Sequence, residues 1–215
     1  MREKTKIIVE VGAAVGALWT FIVLMRFESL RFAGWEAPVF MGIPLVGAIL
    51  LNLPAHELGV SLRNPLGEMR LFGLACAIFL PPFVAGFFAY QLLARGEHLV
   101  FHFPRRLAQE AAANFLYLAL PEEFLFRGYL QQRLGRVLPG TWKFLRFEVP
   151  VAGVACAALF ALAHVTYDAG WQRGLVFFPA LVFAWLRRRS GTIVAPTLFH
   201  GTCNVVAYCA GEMFA

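Results

Sequence analysis

Charged residues are scarce in this chain. They make up 15% of its 215 residues, where a soluble domain carries about 25%. The shortage excludes a disordered segment and an ordinary soluble enzyme. Cysteine is equally sparse. Cys76, Cys156, Cys203 and Cys209 lie inside apolar segments with no C-x-x-C spacing, which argues against a disulfide framework or a thiolate metal site and leaves small packed thiols. No repeat, low-complexity tract or soluble appendage stands out. What the chain has in abundance is apolar side chains, 60% of the total, with a mean hydropathy of +0.66. The expected solvent is lipid, and the expected architecture is all-α: a single integral-membrane domain over residues 1–215, a polytopic transmembrane helix bundle of about seven spans.

The charge-free runs locate those spans at Val11–Met25, Ala37–Ala55, Leu71–Ala94, Ala111–Pro121 (continuing helically through Arg127), Val149–Tyr167, Gly174–Leu186 and Ser190–Gly211. The first resembles an uncleaved anchor rather than a signal peptide, because no small-residue cleavage site follows it. Pro81-Pro82 predicts a kink in the third. The net charge of +6 comes from 19 cations against 13 anions. With the N-terminus inside, twelve cations fall on the inner side, including Arg2, Lys4, Lys6, Arg63, Arg133, Arg136, Lys143, Arg146, Arg187, Arg188 and Arg189. Six fall outside, among them Arg26, Arg31 and Arg173. This excess predicts a cytoplasmic N-terminus in a prokaryotic inner membrane. Cations scattered between spans do not make a nucleic-acid surface, so the partners expected are the bilayer and a membrane-tethered protein or peptide, with no nucleic acid.

Ionisable groups within spans are costly, about 2.5–3.5 kcal/mol each at the bilayer centre, so each calls for a partner and a purpose. Three clusters carry them. In Pro121-Glu122-Glu123-Phe124-Leu125-Phe126-Arg127, Glu123 and Arg127 are four residues apart and can pair on one helix face. Glu122 is rotated away and left free for chemistry. His164 closes an apolar helix in the spacing Phe160-x-x-x-His164, and His200 and Asn204 share one face of the last span. Counted at 1.5 Å per residue, Glu122, His164 and His200 reach depths within about 10 Å of one another, which one internal pocket could collect. Helix-to-helix hydrogen bonding is the plainer reading of each cluster taken alone.

The three motifs in this order, Glu122-Glu123-x-x-x-Arg127, Phe160-x-x-x-His164 and His200-x-x-x-Asn204, resemble those of the CAAX-processing and bacteriocin-processing intramembrane proteases, the family of the Ras-converting endopeptidase. The likeness covers about Asn114–Tyr208 and suggests a motif-bearing core at about 107–211; the first hundred residues add only compatible spans. The resemblance implies glutamate-dependent peptide hydrolysis within the membrane, and no metal or cofactor is expected. Glu122 would be the base that activates water, with His164 assisting, and His200 and Asn204 would form the oxyanion hole. Glu123, Arg127 and Phe160 would support them.

Two other readings compete. Glu122, His164 and His200 could supply a two-His-one-carboxylate zinc site, although H-E-x-x-H is missing. A transporter or a peptide-sequestering immunity protein would use the same groups as a proton or ligand path. His56, His98 and His102 are expected in solvated loops, and Asp168 is expected to be a loop carboxylate with no catalytic part.

Overall fold

A computed structural model describes residues 2–27, 34–61, 64–100, 102, 104–144 and 147–214. Glu28, Arg31, Arg63 and Arg146, on which part of the charge count rests, lie outside the described residues. The elements run α1 (Arg2–Leu24), α2 (Glu36–Leu51), α3 (Pro65–Ala89, prolonged by a π-helical turn at Tyr90–Ala94), α4 (Leu107–Ala113), α5 (Leu120–Glu123), α6 (Gln131–Gly135), α7 (Val151–Asp168), α8 (Phe177–Ser190) and α9 (Val194–Gly211). Two π-helical stretches, Asn114–Ala119 and Phe124–Leu130, join α4, α5 and α6 into one continuous rod. The described residues thus form seven helical rods, in agreement with the all-α bundle read from the sequence. Glu3–Leu24, Pro65–Ala94 and Val151–Asp168 are each long and apolar enough to cross a membrane, and Glu36–Leu51 is a shorter apolar helix.

Local chemistry sets the ends of these helices. Asn64 caps α3 by accepting from the Gly67 amide at 3.0 Å, with Pro65 in the first helical position. Gly191 ends α8 with φ +76°, a conformation that suits glycine. The last span therefore starts later than its apolar run suggests: Ser190 closes α8, and residues 191–193 turn the chain into α9. The start of α9 is capped from a distant helix. The buried Glu68 carboxylate on α3 accepts from Thr192 Oγ1 at 2.7 Å and from the Ala195 amide at 3.1 Å, placing a negative charge where the helix dipole is positive. Pro81 and Pro82 both sit inside α3, which remains assigned as one helix through them.

A β-hairpin departs from the all-α expectation. Thr141–Phe144 pairs antiparallel with Phe147–Pro150, and Lys143 stands opposite Glu148. These residues alternate aromatic or β-branched with charged side chains, the pattern of a strand rather than a span. The fifth span accordingly loses Val149 and Pro150 to the hairpin and begins at Val151.

The buried core lies where the rod meets α7, α8 and α9. Phe126 and Phe160 pack edge to face at 5.0 Å between centroids, and Phe160 also meets Phe183. Glu10 of α1 is satisfied as well. Arg133 binds it through two nitrogens at 2.6 and 2.7 Å, and the Tyr129 hydroxyl donates to it at 2.8 Å.

Candidate active site

The first motif straddles a short α-helical turn between the two π-helical stretches, so Glu122 and Glu123 lie where the helix register shifts. Such π-bulges often re-aim side chains at functional sites. Glu123 and Arg127 are both fully buried and pair at 3.0 Å. The guanidinium lies between two rings, 4.8 Å from Phe160 and 4.9 Å from Phe183, and donates to the Ala180 carbonyl at 3.2 Å. A desolvated cation over aromatic faces gains about 2 kcal/mol, which helps offset burying it.

Glu122 points elsewhere, as its helical rotation predicts. Its side chain keeps 14% of its exposure and faces a cavity of about 400 Å³ that His164, His200 and Asn204 also line. His164 Nδ1 lies 2.9 Å from the Phe160 carbonyl. A carbonyl only accepts, so Nδ1 carries the proton, and Nε2 in the neutral ring is left as an acceptor. Phe160 therefore serves twice, with its ring under Arg127 and its carbonyl fixing the His164 tautomer.

His200 is held more tightly than the sequence suggested. Its ring stacks on Phe183 at 4.6 Å, and its Nδ1 binds Glu123 Oε1 at 2.9 Å. On the other side of the ring, Nε2 lies 3.7 Å from Glu122 Oε2. The two neighbouring glutamates thus approach the two nitrogens of one imidazole. Glu123 anchors both Arg127 and His200, a link across 77 residues of chain that no local spacing reveals.

Several polar groups of the cavity wall were not anticipated. Glu36, Asn114, Tyr167, Asp168 and Arg173 line it, as do Phe21, Ile22 and Phe40 from the first two helices. The first two helices therefore contribute to the wall of this cavity. Asp168 is the last residue of α7 rather than a loop carboxylate, and it pairs with Arg173 at the cavity wall. His56, His98 and His102 are exposed outside the helices, as expected. Among the described residues no group of three or more His, Cys, Asp or Glu side chains is placed to hold a metal ion.

The apolar bundle thus holds a buried ion pair beside one cavity that is lined by two imidazoles and a largely buried carboxylate. Comparison with known proteins adds one finding. Residues 104–206 match the family model described as Rce1-like, Type II CAAX prenyl endopeptidase Rce1-like. This segment holds all three motifs, and through it the chain is similar to the CAAX endopeptidase family, which supports peptide hydrolysis as its general activity. No curated protein and no solved structure matches the chain.

Proposed function

We propose that this protein is a glutamate-dependent intramembrane endopeptidase that cuts a membrane-associated protein near its C-terminus, or a peptide precursor, without a metal or other cofactor. The observation that carries this reading is the joint lining of one cavity by Glu122, His164, His200 and Asn204. Glu122 takes a proton from water as the oxygen attacks the scissile carbonyl. His164 Nε2 accepts the second hydrogen bond of that water and orients it. Asn204 donates its amide N–H to the developing oxyanion, an interaction typically worth about 2.7–4 kcal/mol. His200 joins it as a donor from Nε2 only when both ring nitrogens carry protons, because Nδ1 is committed to Glu123. Glu122, once protonated, delivers its proton to the leaving amine.

The roles differ because the surroundings differ. Glu123 is sealed away with Arg127 and holds two partners, so it positions; Glu122 faces open space, so it reacts. The substrate would enter among α1, α2, the rod and α7, whose residues form the cavity wall. The N-terminus is proposed to be cytoplasmic. Of the possible substrates, bacteriocin leaders and bacterial C-terminal sorting tails suit a prokaryotic chain better than prenylated CAAX tails.

The test is direct. The protein reconstituted in vesicles is given lipid-tethered peptide reporters, with and without a strong chelator, and the products are weighed by mass spectrometry. Cleavage at one bond, unaffected by the chelator, is the expected result. Loss that added zinc restores would establish the metal reading, and a reporter bound or moved but never cut would favour the transport or sequestering reading.

A further inference from the structure

A second cavity, of about 390 Å³, opens at the opposite end of the rod from α4, where α6 and α8 finish and α7 begins. It lies some nine to fourteen residues beyond Glu122, roughly 15–20 Å along the rod. Four guanidinium-bearing residues, Arg127, Arg136, Arg187 and Arg188, contribute to its wall together with Gln131 and Gln132, and no carboxylate does. Three of the four arginines have an acidic partner outside the cavity: Glu123 for Arg127, Glu57 for Arg136 and Glu148 for Arg188. Arg187 makes no ion pair among the described residues, although the buried Glu68 carboxylate acts on it at longer range. It is 8% exposed, and its hydrogen bonds go to two carbonyls, Arg127 O at 3.3 Å and Glu57 O at 3.1 Å. A buried cation whose hydrogen bonds all go to carbonyls, with its acidic neighbour Glu68 beyond ion-pair distance, is open to a further counter-charge.

Gln131 supplies an independent observation. The side chain is 6% exposed, and its Nε2 donates to the Ala184 carbonyl at 3.2 Å. Its Oε1 is buried with no hydrogen-bond partner in the structure. An unmet acceptor on a residue that lines a cavity walled by cations favours a ligand that is anionic and also carries a hydrogen-bond donor. A phosphodiester esterified to a hydroxyl-bearing alcohol has both.

The place in the fold identifies the source of that group. The hairpin beside the cavity presents Trp142, 54% exposed, next to Lys143, and Leu138 and Val151 are also uncovered. Exposed tryptophan next to cations at the end of a helix bundle is the signature of headgroup depth, and basic pockets between spans at that depth bind anionic headgroups. We propose that this cavity binds the headgroup of an anionic phospholipid, its phosphate facing Arg187, Arg188 and Arg136 and a headgroup hydroxyl donating to Gln131 Oε1. The site is separate from the peptidase cavity. It reaches that cavity's framework through Arg187, which is bonded to the carbonyl of the same Arg127 that pairs with Glu123.

The experiment measures binding of phosphatidylglycerol to the detergent-solubilised protein by native mass spectrometry, with phosphatidylcholine and inorganic phosphate as comparison probes. The expected result is retention of phosphatidylglycerol over phosphatidylcholine. The double variant Arg136→Gln/Arg188→Gln should weaken it about ten-fold or more. Arg189→Gln removes one positive charge from an exposed neighbour outside the cavity and should change nothing. Glu148→Gln frees Arg188 from its carboxylate and should tighten binding, a gain that misfolding cannot imitate. Equal loss in Arg189→Gln, undiminished binding in the double variant, or no gain in Glu148→Gln would overturn the proposal. Inorganic phosphate competing as well as the lipid would assign the cavity to the free ion and overturn the headgroup.

Discussion

Replacing Arg127 by Met removes the cation that faces Glu123 at 3.0 Å and leaves a fully buried carboxylate with His200 as its remaining bonded partner. Methionine fills much of the space between Phe160 and Phe183, so the change is mainly electrostatic. Stranding one member of a buried pair costs about 3–5 kcal/mol. For a chain of this size each kcal/mol moves the melting temperature by about 2–4 °C, so a fall of roughly 6 °C or more is expected. The thiols of Cys156 and Cys203 are buried, which lets a thiol-reactive dye follow unfolding in detergent. The double variant Arg127→Met/Glu123→Gln removes the stranded charge while keeping a group that can bond His200, and it should recover most of the loss. A single variant that melts with the wild type would refute the reasoning. So would a double variant that falls as far as the single one, because the cost would then lie in packing.

Further outcomes follow from the same geometry. Asn204→Ala should lower kcat by about 100-fold to 1000-fold with little change in KM, since its amide is assigned to the transition state; steady-state cleavage of the tethered reporter measures the split. Gly128→Ala places a Cβ 2.7 Å from the Leu58 carbonyl oxygen, a backbone atom that cannot swing aside, and should cost about 1–3 kcal/mol in the same melting assay. In the exposed hairpin, hydrogen bonds from Lys143 and then Arg188 hold the Glu148 carboxyl below its ordinary value. A depressed carboxyl stabilises the fold above its unfolded value and loses that contribution as pH falls through the folded one. The melting difference between wild type and Glu148→Gln should therefore shrink from neutral pH towards about pH 3, and a difference that grows on acidification would contradict the assignment.

How far the sequence could be read depended on whether the partners of a residue were local. Glu123 and Arg127 are four residues apart, and the helix period alone pairs them. The rotation separating Glu122 from Arg127 likewise survives the π-helical stretches. His200 was legible as an intramembrane imidazole, but its bond to Glu123 spans 77 residues and appears only when α9 packs against the rod. Glu68 was invisible for the same reason, since nothing near it in sequence shows that it caps α9. The same holds for Glu10, whose partners Tyr129 and Arg133 lie on another rod. The exposed Glu212 is a neutral control for a catalytic glutamate. The hairpin was missed because Phe147–Pro150 runs into the apolar start of α7, and a continuous hydrophobic run hides the change from strand to helix.

The central claim is that the carboxylate facing the cavity, rather than the one sealed beside Arg127, takes the proton from the attacking water. It is tested most directly by comparing Glu122→Gln with Glu212→Gln, each folded as judged by its melting, in hydrolysis of the tethered reporter. The account predicts that cleavage disappears in Glu122→Gln and continues at the wild-type rate in Glu212→Gln; a folded Glu122→Gln protein that cuts the reporter normally would contradict it.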